Sequence, residues 1–170
     1  MNFYKLIENR YSVRKYLPRA IEKDKLSRIL KAARLAPTAA NRQAFKIIVI
    51  HTKKRKTELA PIYQREWFVA APVIIAVLSL PQENWVRKDG VNYSMCDAAI
   101  VSDHIILAAT QEGLGTCWIG AFDRGEAKKV LNIPGNAEPM LFITLGYAGD
   151  KPVKKKRKPL KALIMKERWN

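Results

Sequence analysis

Residues 93–120 read YSMCDAAIVSDHIILAATQEGLGTCWIG. Apolar side chains are spread around the whole circumference of a helix from Tyr93 to Gln111, which is typical of a helix buried on most sides. Gly113-Leu114-Gly115 ends this helix, and the β-branched and aromatic residues of Thr116–Ile119 predict a strand. A buried helix that leads directly into a strand predicts that this stretch lies at the centre of the fold.

On both sides of this stretch, predicted helices alternate with predicted strands. An amphipathic helix covers residues 22–35 and stops before Pro37, and a shorter helix precedes it with Leu6 and Ile7 facing inward. Further strands are predicted at 45–50, 73–78 and 140–147, helical character at 53–63, and a helix at 123–131 with Asp123 as its N-cap. This alternation predicts an α/β (α+β) fold of two or three layers around one mixed sheet.

The bulk composition indicates one cytoplasmic domain. The chain has 170 residues, of which 48% are hydrophobic, enough for one core. Its longest apolar stretch, Val69–Pro81, is shorter than the ~18 to 20 residues of a membrane helix, and its first residues lack the features of a signal peptide. Cys96 and Cys117 have neither a CxxC pattern nor a histidine at metal spacing, so we expect buried structural thiols and no metal site.

The end of the chain is strongly basic. Lysine and arginine outnumber aspartate and glutamate 31 to 15, and residues 151–168 contain nine basic side chains but only one acid, Glu167. A nucleic-acid surface and a local anion site both fit this pattern. We divide the chain into a domain at 1–147 and a basic C-terminal arm at 148–170, with an extended backbone over 148–160.

Three segments carry residues suited to ligand binding. In an extended backbone, Arg10, Ser12 and Arg14 face the same side and suit a phosphate or a polar ring, although a solvated loop has the same pattern. Residues 36–45 join a helix to a strand with small side chains that let a flat ligand approach, or form an ordinary loop closed by Asn41. The glycines of 113–120 do not fit GxGxxG, which disfavours a Rossmann nucleotide loop.

Taken together, these segments resemble the nitroreductase family of flavoproteins over nearly the whole chain. The matching motifs, in chain order, are Arg10-x-Ser12-x-Arg14-x-Tyr16, Ala36-Pro37-Thr38-Ala39-x-Asn41-x-Gln43, Gly113-Leu114-Gly115-Thr116-Cys117-Trp118-Ile119-Gly120, Lys155-x-Arg157 and Pro159-Leu160. Thr38 stands where serine is common in the family, and Ala44-Phe45 where Pro-Trp is common. The resemblance implies a mixed sheet flanked by helices, in an intertwined homodimer that exchanges its C-terminal arms and binds two FMN at the subunit interface.

The resemblance also implies roles for individual residues. Arg10, Lys155 and Arg157 would hold the FMN phosphate, while Ser12 and Arg14 would contact the ribityl chain and the pyrimidine edge. The other subunit would contribute the loop residues Pro37, Thr38, Ala39, Asn41 and Gln43. Trp118 and Ile119 would back the ring, and Gly120 and Ala121 would direct backbone N–H groups toward N5 and O4.

The implied activity is that of an FMN-dependent NAD(P)H oxidoreductase. NADH or NADPH would pass hydride to flavin N5, and a nitroaromatic, a quinone or a related small molecule would then take the electrons in a ping-pong sequence. Because the flavin carries the chemistry, no side chain acts as a catalytic acid, base or nucleophile. Arg14 is the candidate for stabilising the reduced flavin, and His51 and His104 are interpreted as structural.

Alternatives from other classes stay open. One is a non-enzymatic nucleic-acid-binding protein that uses the basic arm, which is disfavoured because Trp169 is the only aromatic residue near the lysines. Another is a flavin-holding redox sensor, which requires an exposed, low-pKa thiol at Cys96 or Cys117. Relatives that act on another acceptor, that dehalogenate or fragment a flavin, or that use a deazaflavin are further alternatives. The short segment at 81–92 predicts an open, permissive substrate pocket.

Overall fold

The computed structural model describes residues 1–169, so Asn170, the last residue of the predicted arm, lies outside the described residues. The helices are α1 (Phe3–Asn9), α2 (Lys23–Arg34), α3 (Lys56–Leu59), α4 (Glu66–Ala70), α5 (Ser94–Gln111) and α6 (Arg124–Val130). The strands are β1 (Phe45–His51), β2 (Val73–Ser79), β3 (Gly115–Ile119) and β4 (Glu138–Gly146). Short 3₁₀ turns occur at Ala39–Asn41, Ala60–Ile62 and Leu160–Ala162.

Most predicted elements are confirmed, and the differences have local causes. Asp123 caps α6, since its Oδ1 accepts from the Glu126 N–H at 2.8 Å. The helix predicted at 53–63 is instead the short α3 followed by a 3₁₀ turn. Pro61 has no N–H and disfavours a regular helix there. The sequence interpretation missed α4, because its five residues are too few to show a helical period.

The four strands form one sheet in the order β1-β2-β4-β3, and each neighbouring pair is antiparallel. Parallel pairing enters through a bridge between Ser12 and Thr116, which places the residues after α1 beside β3. The predicted α/β class, with helices packed around one sheet, is confirmed.

Each face of the sheet covers its own hydrophobic core, because successive side chains of a strand point to opposite faces. One core packs α2 and α5 against residues such as Ile75 and Ile143. The other lies around Phe68 and Phe142, whose rings meet edge to face at 6.0 Å. Within the described chain, no helix combines the length and hydropathy that a bilayer crossing requires.

Helix α1 lies on the surface and contains no buried residue. Leu6 is half-buried, but Ile7 is 40% exposed, so the prediction that Ile7 faces inward is wrong. A seven-residue helix that packs mainly along α5 does not bury both side chains within this single chain.

Tyr16 ties the segment after α1 to the sheet. Its buried hydroxyl lies 2.6 Å from the Thr144 hydroxyl and donates to the Val13 carbonyl at 3.0 Å. We expect Tyr16→Phe to lower the free energy of unfolding by about 1 to 3 kcal/mol, because it leaves buried polar atoms without a partner. Urea denaturation measures this loss, with Tyr4→Phe, at a 74% exposed side chain, as the control. Equal effects of the two changes would contradict this role of the hydroxyl.

Candidate functional site

The segment from Arg10 to Arg14 lies against β3. Ser12 pairs with Thr116, and the Val13 N–H donates to the Thr116 carbonyl at 2.9 Å. The approach is close enough that a Cβ on Gly115 would lie 2.4 Å from Cγ2 of Val13. Glycine is therefore required at position 115 for this packing. Val13 is buried, and its neighbours in the chain, Ser12 and Arg14, face the opposite way.

Side chains of the segment from Arg10 to Arg14 line a cleft of about 420 Å³ that lies between this segment and the C-terminal arm. The first residues supply Arg10, Ser12 and Arg14, as predicted from their spacing. The arm supplies Lys155 and Arg157. The structure therefore brings together five of the predicted ligand-binding residues, and the complete lining is Arg10, Tyr11, Ser12, Arg14, Asp150, Lys151, Val153, Lys155 and Arg157.

Asp150 fastens the arm to the first segment, a contact that the sequence interpretation missed. Its Oδ2 accepts from the Arg14 backbone N–H at 2.8 Å, and the Tyr11 hydroxyl donates to its carbonyl at 3.0 Å. Burial and the charge of Asp150 both raise the pKa of Tyr11, so this hydroxyl stays a donor. From 151 to 159 the arm has neither helix nor strand, and Lys155 Nζ donates to the carbonyls of Ile7 and Glu8 at the end of α1.

The cleft carries more positive charge than its own carboxylate can balance. Asp150 is the only acid of its lining, whereas five residues of the lining are cationic: Arg10, Arg14, Lys151, Lys155 and Arg157. Among residues 1–169, none of these five side chains forms an ion pair with a carboxylate. Burial, together with the charges of Arg10 and Arg157, lowers the pKa of Lys155. The site therefore has the charge of an anion-binding cleft, and an anion here would relieve the repulsion among its cations.

The residues at the end of β3 point in different directions. Trp118 is 40% exposed, whereas Ile119 is buried in the core on the other face. A ligand beside β3 can therefore contact the indole of Trp118 but only the backbone of Ile119. Gly120 and Ala121 follow in an exposed loop, where their N–H groups lie outside the regular pairing of β3 with β4.

The two cysteines differ in exposure. Cys117, on β3, is buried, and burial raises its pKa against the opposing effect of the Arg14 charge. A thiol with a raised pKa is a poor nucleophile, which argues against a redox-sensing role for Cys117. Cys96 is exposed near the start of α5, so the expectation of two buried thiols is wrong for this residue.

The loop from Pro37 to Gln43 lies elsewhere in the chain, before β1. Its residues Ala40, Asn41 and Gln43 have positive φ angles of 49°, 53° and 52°. The Thr38 hydroxyl accepts from the Gln43 N–H at 3.0 Å, and the Ala39 N–H donates to Asp97 of α5 at 2.9 Å. None of the residues that line the cationic cleft comes from this loop, so a single chain does not bring the two sets together.

The histidines and acidic residues of the described chain do not form a second candidate site for catalysis or metal binding. His104 Nδ1 lies 3.0 Å from the Ile100 carbonyl of its own helix, and His51 is exposed at the end of β1. Within the described residues, no group of three or more histidine, cysteine, aspartate or glutamate side chains is placed to hold a metal ion.

Comparisons with known proteins agree on one family. The Nitroreductase family profile matches residues 7–70 and 63–147. A nitroreductase family protein from Clostridium difficile 630 superposes with a TM-score of 0.92 at 34% identity, covering 99% of this chain and 100% of that chain. An FMN-dependent nitroreductase from Clostridium difficile R20291 gives a TM-score of 0.77 at 27% identity, covering 98% of each chain. An FMN reductase [NAD(P)H] of Bacillus subtilis is 26% identical over 183 residues, covering 97% of this chain and 73% of its own length.

Proposed function

Because this chain belongs to the nitroreductase family, we propose that it is an FMN-dependent NAD(P)H oxidoreductase that reduces nitroaromatics, quinones or related small acceptors. The observation that carries this proposal is the cluster of five cations beside β3, none of which pairs with a carboxylate of residues 1–169. The names of similar proteins, an FMN reductase and an FMN-dependent nitroreductase, support the choice of cofactor and electron donor.

The residues of the cleft fit the phosphate of FMN. A phosphate monoester carries nearly two negative charges and takes charge-assisted hydrogen bonds, preferably from arginine. Arg10, Lys155 and Arg157 supply such donors within the described chain, and no carboxylate of residues 1–169 pairs with them. Ser12 adds a hydroxyl on the same side, suited to the ribityl chain.

When bound, FMN supplies the redox chemistry by accepting hydride from NADH or NADPH and passing electrons to the second substrate. Arg14 presents a permanent cation that would stabilise negative charge at the pyrimidine edge. Trp118, exposed at the end of β3, would pack against the ring and exclude water from it. Within this proposal, no described side chain has to act as a catalytic acid, base or nucleophile.

We propose a homodimer with exchanged arms as the active form. Helix α1 buries none of its own residues and exposes Phe3, Tyr4 and Ile7. The arm also exposes large apolar side chains, which are Val153, Leu160, Leu163, Ile164, Met165 and Trp169. Exposed apolar groups on this scale favour association. In the dimer, the Pro37–Gln43 loop of one subunit would complete the cationic cleft of the other, and the arm of residues 148–170 would complete both site and dimer.

The proposal is tested by an absorbance spectrum of the purified protein after addition and removal of free FMN. We expect retained flavin that bleaches anaerobically with NADH or NADPH and recovers on addition of a quinone. Protein that retains no flavin would refute the proposal. A salt-sensitive shift of an oligonucleotide by such a flavin-free protein would favour nucleic-acid binding by the basic arm instead.

The pKa of Lys155 leads to a prediction about pH. Its pKa lies below the usual value of 10.5, and a bound phosphate would raise it. The affinity for FMN is therefore highest at pH values below the pKa that Lys155 has in the FMN-free protein, and it declines as the pH rises through that pKa. Fluorescence titrations from pH 7 upward should show this decline. Lys155→Arg should reduce the decline, because arginine stays protonated throughout. Parallel pH profiles for the two proteins would contradict the assignment of Lys155 to the phosphate.

A further inference from the structure

Asp97 is a buried carboxylate that no assigned role explains. It lies in the first turn of α5 and is 1% exposed. Its Oδ1 accepts from the Ala39 N–H at 2.9 Å, and its Oδ2 has no hydrogen-bond partner within the described residues. Removing a carboxylate from water is costly unless hydrogen bonds or nearby positive charge compensate. The amino terminus of α5 supplies partial positive charge here, and the Ala39 N–H supplies one hydrogen bond, to Oδ1.

The loop that Asp97 holds has a backbone that needs restraint. Ala40, Asn41 and Gln43 all have φ angles near 50°, in the left-handed region that side chains other than glycine disfavour. Such conformations cost about 1 to 3 kcal/mol each and persist only where surrounding contacts enforce them. Inside the loop, the Thr38 hydroxyl closes the turn by accepting from the Gln43 N–H. Outside it, Asp97 fixes the loop to α5.

We propose that Asp97 is a positioning residue that sets the shape of the Pro37–Gln43 loop for flavin binding. The inference rests on the proposed function, in which this loop contacts the flavin held by the partner subunit. Asp97 does not touch the cofactor in this arrangement. Its hydrogen bond to the Ala39 N–H fixes the backbone of the loop, and this backbone sets the positions of Asn41 and Gln43.

The test compares two substitutions at this position. Asp97→Asn keeps an oxygen that can accept from Ala39, whereas Asp97→Leu keeps a similar size but removes every acceptor. We expect Asp97→Leu to weaken FMN binding about tenfold and to shift the absorbance bands of the bound flavin. We expect Asp97→Asn to restore most of the affinity and most of the original band positions. Asp103→Asn, at an exposed position of the same helix, controls for the loss of one negative charge.

Thr38→Val provides a second measurement if Asp97→Leu does not fold. Thr38 is only half-buried, so its hydroxyl can be removed without opening the core. Loss of the bond to Gln43 should also weaken FMN binding, because the same loop loses its shape. The inference would be overturned if folded Asp97→Leu had the FMN affinity and the absorbance spectrum of the unaltered protein. If Asp97→Leu does not fold, the same result from folded Thr38→Val would overturn it. An unaltered protein that binds no FMN would instead refute the proposed function.

Discussion

Replacement of Arg10 and Arg157 together by alanine is expected to weaken FMN binding by about 3 to 6 kcal/mol. Each arginine is expected to make a charge-assisted hydrogen bond to the phosphate, worth about 1.5 to 3 kcal/mol. The two side chains line the same cleft from opposite ends of the chain, and neither is paired with a carboxylate of residues 1–169. Neither removal therefore leaves a buried acid without its partner.

Equilibrium dialysis against FMN measures this effect. The matched control is Lys156→Ala with Lys158→Ala, which removes the same charge from exposed positions of the same arm outside the cleft lining. The control should change the affinity by less than about 1 kcal/mol, as expected for solvated charges. Equal flavin content in the double arginine variant and the unaltered protein would show that the phosphate lies elsewhere.

Truncation after Gly149 is expected to abolish FMN binding and to impair dimerisation. The shortened chain lacks Asp150, which fastens the arm to Arg14 and Tyr11, and it lacks Lys155 and Arg157 of the cleft. It also loses the exposed apolar side chains near the end of the arm. The two cores do not include arm residues, so the rest of the chain should still fold.

Analytical ultracentrifugation and flavin absorbance together measure both losses. A chain that ends at Lys158 is the informative control, because it keeps the whole cationic cleft but lacks residues 159–170. We expect this control to associate more weakly than the full chain while retaining more flavin than the chain that ends at Gly149. A yellow, fully dimeric protein ending at Gly149 would rule out the proposed role of the arm.

Local patterns in the sequence predict most of the fold. The all-round apolar composition of α5 and the amphipathic period of α2 depend only on residues within one helix, and both helices are confirmed. Burial of α5 on most sides is not, since its fully buried residues share one face and Met95 is 56% exposed. The alternation of Arg10, Ser12 and Arg14 likewise predicts one shared side, which the structure confirms in the cleft. In each case the period of the backbone determines which side chains share a face.

Contacts between distant segments account for what the sequence did not reveal. Nothing near Asp150 indicates that it accepts from Arg14, which lies 136 residues earlier. An acid in the first turn of an apolar helix was the available indication for Asp97, but its partner is the backbone N–H of Ala39, which has no sequence signature. The exposure of Cys96 depends on which part of α5 its neighbours cover, which no single-helix pattern determines.

The hydrogen bond from Tyr11 to Asp150 also has a consequence for the order of events during synthesis of the protein. The two residues are 139 positions apart. A ribosome adds residues from the amino terminus, so Arg10 and Arg14 leave it long before Asp150, Lys155 and Arg157 exist. The nascent chain therefore has no complete cleft until residues 150–157 have left the ribosome. Under the proposed function, FMN can enter the complete cleft only after these residues have joined Arg10 and Arg14.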